Sequence, residues 1–139
     1  MANSKVEIVF QSIYENVSMA CDKFRQFCIE NEISKNIYLK LEICLTEALN
    51  NVIKHSYLGQ PGNEIKLIVQ ISNSMLELII IETGLPRKKT GKPTLEFDPT
   101  DIDNLPEGGM GLFIIEEIMD ETNYKSDGKT NTFTMFKQL

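Results

Sequence analysis

The sequence predicts an α+β fold: a two-layer sandwich in which an antiparallel-rich mixed sheet carries helices on one face. Three observations predict it. Apolar residues recur at helical spacing in two early stretches, short β-like runs come as hairpins around turn residues, and one long proline-rich loop separates the halves. The order is strand, two helices, two strands, long loop, helix, two strands. No internal repeat or linker interrupts it, so residues 1–139 read as one domain, long enough to bury a core.

Each element has its own signal. Over residues 5–11, Val6, Ile8 and Phe10 alternate with Glu7, Val9 and Gln11, which predicts a first strand. Val17, Ala20, Cys21, Phe24, Phe27 and Cys28 then predict a helix over 14–31. Ser34 is a candidate N-cap for a second helix, which carries Leu41, Cys44, Leu45, Ala48 and Val52 and runs to Tyr57. A turn at Gly59–Asn63 leads into a hairpin, Glu64–Ile71 and Leu76–Ile81. From Gly84 to Pro106 no period survives, and the segment holds Pro86, Pro93, Pro99 and Pro106. A loop this long inside a compact domain is often functional, and 85–106 is read as a lid. Gly108-Gly109-Met110-Gly111 opens an apolar helix over Leu112–Met119, and two strands, Thr122–Ser126 and Thr130–Lys137, flank the turn signal Asp127-Gly128.

Composition excludes several classes. The net charge is -6, with no basic run beyond Arg87-Lys88-Lys89. A nucleic-acid binder needs clustered Lys and Arg to neutralise phosphates, so no direct nucleic-acid contact is expected. Cys21, Cys28 and Cys44 lack CxxC spacing and fall among apolar helical residues, as reduced core thiols do. A single histidine rules out a multi-histidine metal site. The N-terminus leads into no apolar signal core, and no stretch approaches the roughly 20 apolar residues of a membrane span. A soluble cytoplasmic protein is expected.

Three features could carry chemistry. Glu47, Asn51, Lys54 and His55 are spaced i, i+4, i+7 and i+8, so a regular helix puts them on one face. The carboxylate can orient or deprotonate a hydroxyl, and the amide oxygen can ligate Mg²⁺. Taken alone, the same residues also read as a solvated polar face. The glycines of Gly108-Gly109-Met110-Gly111 suggest a loop in close approach to a ligand, and free N–H groups at a helix start bind phosphates; a flexible turn is the other reading. No GxxxxGK[ST] is present, so this is not a P-loop. In Glu82-Thr83-Gly84 a carboxylate ends a buried strand, where it could accept a hydrogen bond from an exocyclic amine or merely end the strand.

Together and in this order, the three features resemble the GHKL ATPase superfamily, in particular the RsbW-like anti-sigma-factor serine kinases. Thr46–Tyr57 is similar to their N box, Glu-x-x-x-Asn, often with a histidine four residues later. Gly109-Met110-Gly111-Leu112 is similar to the second glycine box, and Phe97-Asp98-Pro99 to a segment common in the lid loops. The resemblance implies the Bergerat fold. It also implies ATP and Mg²⁺, with Glu47 as general base, Asn51 as magnesium ligand, Lys54 and His55 near the nucleotide, and backbone donors from Gly108–Gly111. Thr132 falls where the family often has a threonine near the adenine. The implied substrate is a STAS-domain anti-anti-sigma protein. The second implied partner is an RNA polymerase sigma factor, and a homodimer is the implied assembly.

Two departures stand out. The family's first glycine box is Asp-x-Gly, whereas here Glu82 precedes Gly84 with one more methylene. The stretch Arg87–Glu96 separates Gly84-x-Pro86 from Phe97-Asp98-Pro99, segments that nearly adjoin in many relatives. This basic stretch could contact phosphates or an acidic partner, or be a disordered insertion. Beside a protein-serine kinase, the alternatives are a non-catalytic nucleotide-responsive switch and an interaction module that binds no nucleotide.

Overall fold

A computed structural model describes residues 3–87 and 109–139. The elements are β1 (Ser4–Gln11), α1 (Tyr14–Glu30), α2 (Lys35–Asn51), a π-helical turn (Val52–Ser56), β2 (Glu64–Ser72), β3 (Met75–Glu82), α3 (Gly109–Ile118), β4 (Glu121–Ser126) and β5 (Asn131–Gln138). The described strands form one sheet in the order β1-β2-β3-β5-β4, and every pairing is antiparallel.

Strand alternation sorts the sheet into two faces. Ile65, Leu67, Val69 and Ile71 of β2 and Leu76, Leu78 and Ile80 of β3 are buried, whereas the residues between them are half-buried or exposed. The buried face joins the apolar stripes of α1 and α2 in one core, with Phe24, Leu41, Leu45 and Ile115 among its largest enclosed side chains. This is the helix-on-one-face sandwich that the periodicities predict. The three cysteines are free and buried in it. Burial pushes the Cys28 thiol up to about 12 and that of Cys44 to about 11, as expected of core thiols.

Local sequence explains the connections. α1 ends with the Ile33 N–H donating to the Cys28 carbonyl and Glu32 at φ 58°, a left-handed C-terminal cap closed by a buried isoleucine. Asn73 and Ser74 both have positive φ between the paired Ser72 and Met75, the two-residue hairpin that suits right-twisted strands. In the β4–β5 hairpin, Asp127 Oδ1 accepts from the N–H groups of Lys129 and Thr130, and Gly128 takes φ 90°.

Two expectations change. The second helix does not run regularly to Tyr57: the α register stops at Asn51, and the Tyr57 N–H reaches back five residues to the Val52 carbonyl at 3.0 Å. Ser34 stands at the N-cap position but makes no side-chain cap bond. Gly109, Met110 and Gly111 are the first turn of α3, not a loop before it. The lid segment lies outside the described residues beyond Arg87, as do Gly108 and Phe97-Asp98-Pro99.

Candidate functional site

The helix-covered face of the sheet ends, at the C-terminus of β3, in a polar pair. Glu82 and Asn131 face each other across β3 and β5 and are 5% and 2% exposed. Asn131 Nδ2 donates to Glu82 Oε1 and to the Gly84 carbonyl at 2.9 Å. Both amide hydrogens are therefore committed, which also fixes which way the amide points. What remains is acceptor-only: Glu82 Oε2 and Asn131 Oδ1 are buried with no hydrogen-bond partner. Burial raises the Glu82 carboxyl above its ordinary range; the Asn131 bond, nearby polar groups of Ser56 and Gly84, and the charge of Arg87 offset this only in part. A buried acceptor left without a donor costs about 1–3 kcal/mol, so a ligand bringing donors to both atoms would be stabilised there.

Asn131 was not legible in the sequence; Thr132 was expected near this point. The register places the two residues on opposite faces of β5. Thr132 pairs with Ile81 and Lys125, on the opposite face from Glu82. A one-residue step along a strand reverses the side chain, so Asn131, not Thr132, shares the face of Glu82.

The π turn holds the strand end in place. The Leu85 N–H donates to the Ser56 carbonyl at 2.8 Å. A Cβ on Gly84 would collide with that carbonyl and come within 2.9 Å of Ser56 Cβ, so Gly84 is required for close backbone approach. Tyr57 adds a second tie: its hydroxyl donates to the Glu64 carbonyl at 2.6 Å and accepts from the Thr83 N–H at 2.9 Å. The π turn and Tyr57 thus tie the end of α2 to the start of β2 and the end of β3.

Glu47 and Asn51 lie one turn apart on α2 and are both half-buried. The carboxylate of Glu47 packs against the first turn of α3: a Cβ on Gly111 would clash with Oε2 and lie 3.3 Å from Cδ. The structure therefore brings together Glu47 and the Gly111 backbone, with Asn51 one helical turn from Glu47 and Leu112 half-buried against the core. Lys54 and His55 are exposed on the π turn. A π turn advances each residue by roughly 80° instead of about 100°, so these two side chains leave the line that Glu47 and Asn51 define. Among the described residues, no group of three His, Cys, Asp or Glu could hold a metal ion by itself. Asn51 with the adjacent Glu47 fits only a cation that arrives with further oxygen ligands, as Mg²⁺ on a polyphosphate does.

The chain matches the profile of the histidine kinase-like ATPase domain over residues 10–137. It is 31% identical over 101 residues to the serine-protein kinase RsbW of Bacillus licheniformis, covering 69% of this chain and 62% of that protein. To the serine-protein kinase RsbW of Staphylococcus aureus strain MSSA476 it is 33% identical over 102 residues, covering 68% and 63%. The match thus spans less than two thirds of these relatives' own length. In fold it is similar to a chain in the crystal structure of the SiaB–SiaC complex from Pseudomonas aeruginosa, with a TM-score of 0.63 over 93% of this chain and 88% of that one. At 11% identity, that likeness is one of fold alone. Among the described residues no helix is long and apolar enough to cross a membrane.

Proposed function

The chain belongs to the histidine kinase-like ATPase domain family, and from that membership we propose that it is an ATP-dependent protein-serine kinase. Its substrate is an anti-anti-sigma protein of the STAS fold, and the same switch controls an RNA polymerase sigma factor. It works as a homodimer in the cytoplasm. The RsbW relatives, named as serine-protein kinases, support the reaction class.

One observation carries the chemistry: the Glu47 carboxylate lies against the first turn of α3. The N–H groups at a helix start have no intrahelical acceptor and bind phosphate oxygens, here on Gly109, Met110 and Gly111. A carboxylate beside that turn can orient a serine hydroxyl and take its proton as the γ-phosphoryl group transfers. Asn51 supplies an oxygen to the Mg²⁺ that the triphosphate carries, and that ion neutralises charge developing on the phosphates. Glu82 and Asn131 accept from the exocyclic amine of the base, which answers their unpartnered oxygens. Lys54 and His55, exposed at the end of the same helix, contact the nucleotide's outer side.

A second reading, a nucleotide-responsive switch that transfers no phosphate, is favoured by Glu82 in place of the family aspartate. Calorimetric titration of Mg-ATP and Mg-GTP into wild type and Asn51→Ala separates the cases when paired with a transfer assay on a STAS-domain protein. The kinase reading expects ATP binding that Asn51→Ala weakens and transfer that Glu47→Ala abolishes. ATP binding without transfer in the wild type selects the switch, and no nucleotide binding to folded protein sinks both.

A further inference from the structure

Arg87 has surroundings that the reading above leaves unused. Its guanidinium carbon lies 4.5 Å from the ring centroid of Tyr124 and 4.5 Å from that of Phe133. The two rings belong to residues paired across β4 and β5, so they form one aromatic surface. The Arg87 backbone N–H donates to Tyr124 Oη at 2.6 Å, which anchors the residue there. Arg87 is exposed as a residue, yet its guanidinium lies against both rings, and that burial pushes its pKa down while attraction to Tyr124 and Glu82 opposes the shift.

This surface continues to the buried acceptors. Phe133 follows Asn131 by two residues, so both point to the helix-covered face, as does Glu82 opposite Asn131. The charge of Arg87 is felt at Glu82, but Glu82 Oε2 and Asn131 Oδ1 have no hydrogen-bond partner. A flat, donor-bearing cation therefore rests on an aromatic platform next to two acceptors that it leaves unsatisfied. A nucleobase with an exocyclic amine is also flat and donor-bearing. To bring its amine to Glu82 and Asn131, it has to come in on the same side of the sheet, beside Phe133. The guanidinium and the base compete for one place.

Resting on the reading of Glu82 as acceptor for the base amine, we propose that Arg87 is the resident occupant of the base subsite, stacked on Tyr124 and Phe133 until nucleotide displaces it. The apparent affinity for nucleotide is then lowered by the fraction of time Arg87 holds the site. A cation stacked on two rings makes that reduction about tenfold.

Calorimetric titration of Mg-ATP into wild type and Arg87→Ala tests the proposal, together with the side-chain Nε–H resonance of Arg87 in labelled wild-type protein. Removing the occupant should tighten Mg-ATP binding about tenfold. The Arg87 resonance, shifted by the ring currents of Tyr124 and Phe133 in free protein, should move to the position of a solvated arginine at saturation. Equal or weaker binding by a folded Arg87→Ala, or an unmoved resonance in saturated wild type, overturns the proposal while leaving the kinase reading intact. If neither protein binds Mg-ATP, the kinase reading fails and this one with it. If Arg87→Ala shows no cooperative thermal transition, the resonance in wild type decides alone.

Discussion

The Glu47 carboxylate crowds the space that a side chain at residue 111 would need: a Cβ on Gly111 would clash with Oε2. The glycine there serves the position of an acid in another helix. Its backbone lies inside α3, where alanine is ordinarily the better residue.

That conflict sets the first prediction. Gly111→Ala gains up to about 1 kcal/mol of helix propensity, while overpacking costs about 1–3 kcal/mol where neighbours cannot yield. The atom in the way is the far end of a flexible side chain, so Glu47 swings aside and the net stability change stays within about 1 kcal/mol. With Glu47 as the proposed base, a displaced carboxylate no longer meets the hydroxyl, and phosphoryl transfer should fall about 100-fold. Thermal unfolding and a transfer assay on the same variant check both halves. A large loss of stability with activity retained would show that the helix, not Glu47, moved.

Gly84→Ala should behave in the opposite way. Here the obstruction is the Ser56 backbone carbonyl, itself bonded to the Leu85 N–H, and backbone cannot rotate aside. Overpacking and a strained or lost hydrogen bond together should cost about 2–4 kcal/mol, read from the denaturation midpoint. A midpoint within experimental error of wild type would mean that the π turn is free to shift.

Glu82 gives stability a pH dependence of definite sign. Its folded pKa is raised, chiefly by burial, above the unfolded glutamate value. Between those two values the folded state binds more protons than the unfolded, so this group's contribution is fully present below the unfolded pKa. It is lost as pH rises through the folded pKa. Relative to wild type, Glu82→Gln should therefore gain stability with rising pH across that window and level off above it. Denaturant titrations from acid to neutral pH measure the difference, and a difference that falls with pH would contradict the burial of an unpaired carboxylate.

The architecture was readable because its signals are periodic and strong. Alternation in β2 and β3 and the stripes of α1 and α2 report burial directly. Glu47 and Asn51 were readable for the same reason, since four residues of regular helix put them one turn apart. The π turn was not, because no local period encodes it or the tertiary bond from the Leu85 N–H to the Ser56 carbonyl that accompanies it. Asn131 was missed because its face depends on strand register to one residue, and the flanking Thr130 and Thr132 offer no contrast of hydrophobicity. The glycines of α3 read as loop because glycine is poor helix material. Their presence in a helix makes sense only once Glu47 is seen behind Gly111.

The partner of Glu82 comes from a strand 49 residues further along the chain. β3 can form its hairpin with β2 early and locally, but its other edge stays open until β5 arrives, a slower, long-range closure. A species with α1, α2 and the first hairpin in place would have the Glu47 helix yet lack both the amide beside Glu82 and the aromatic platform. Such a chain would lack the proposed nucleotide pocket. On the proposed reading, nucleotide binds finished molecules only and draws the folding equilibrium toward completion, so that occupancy of the pocket would double as a record of folding.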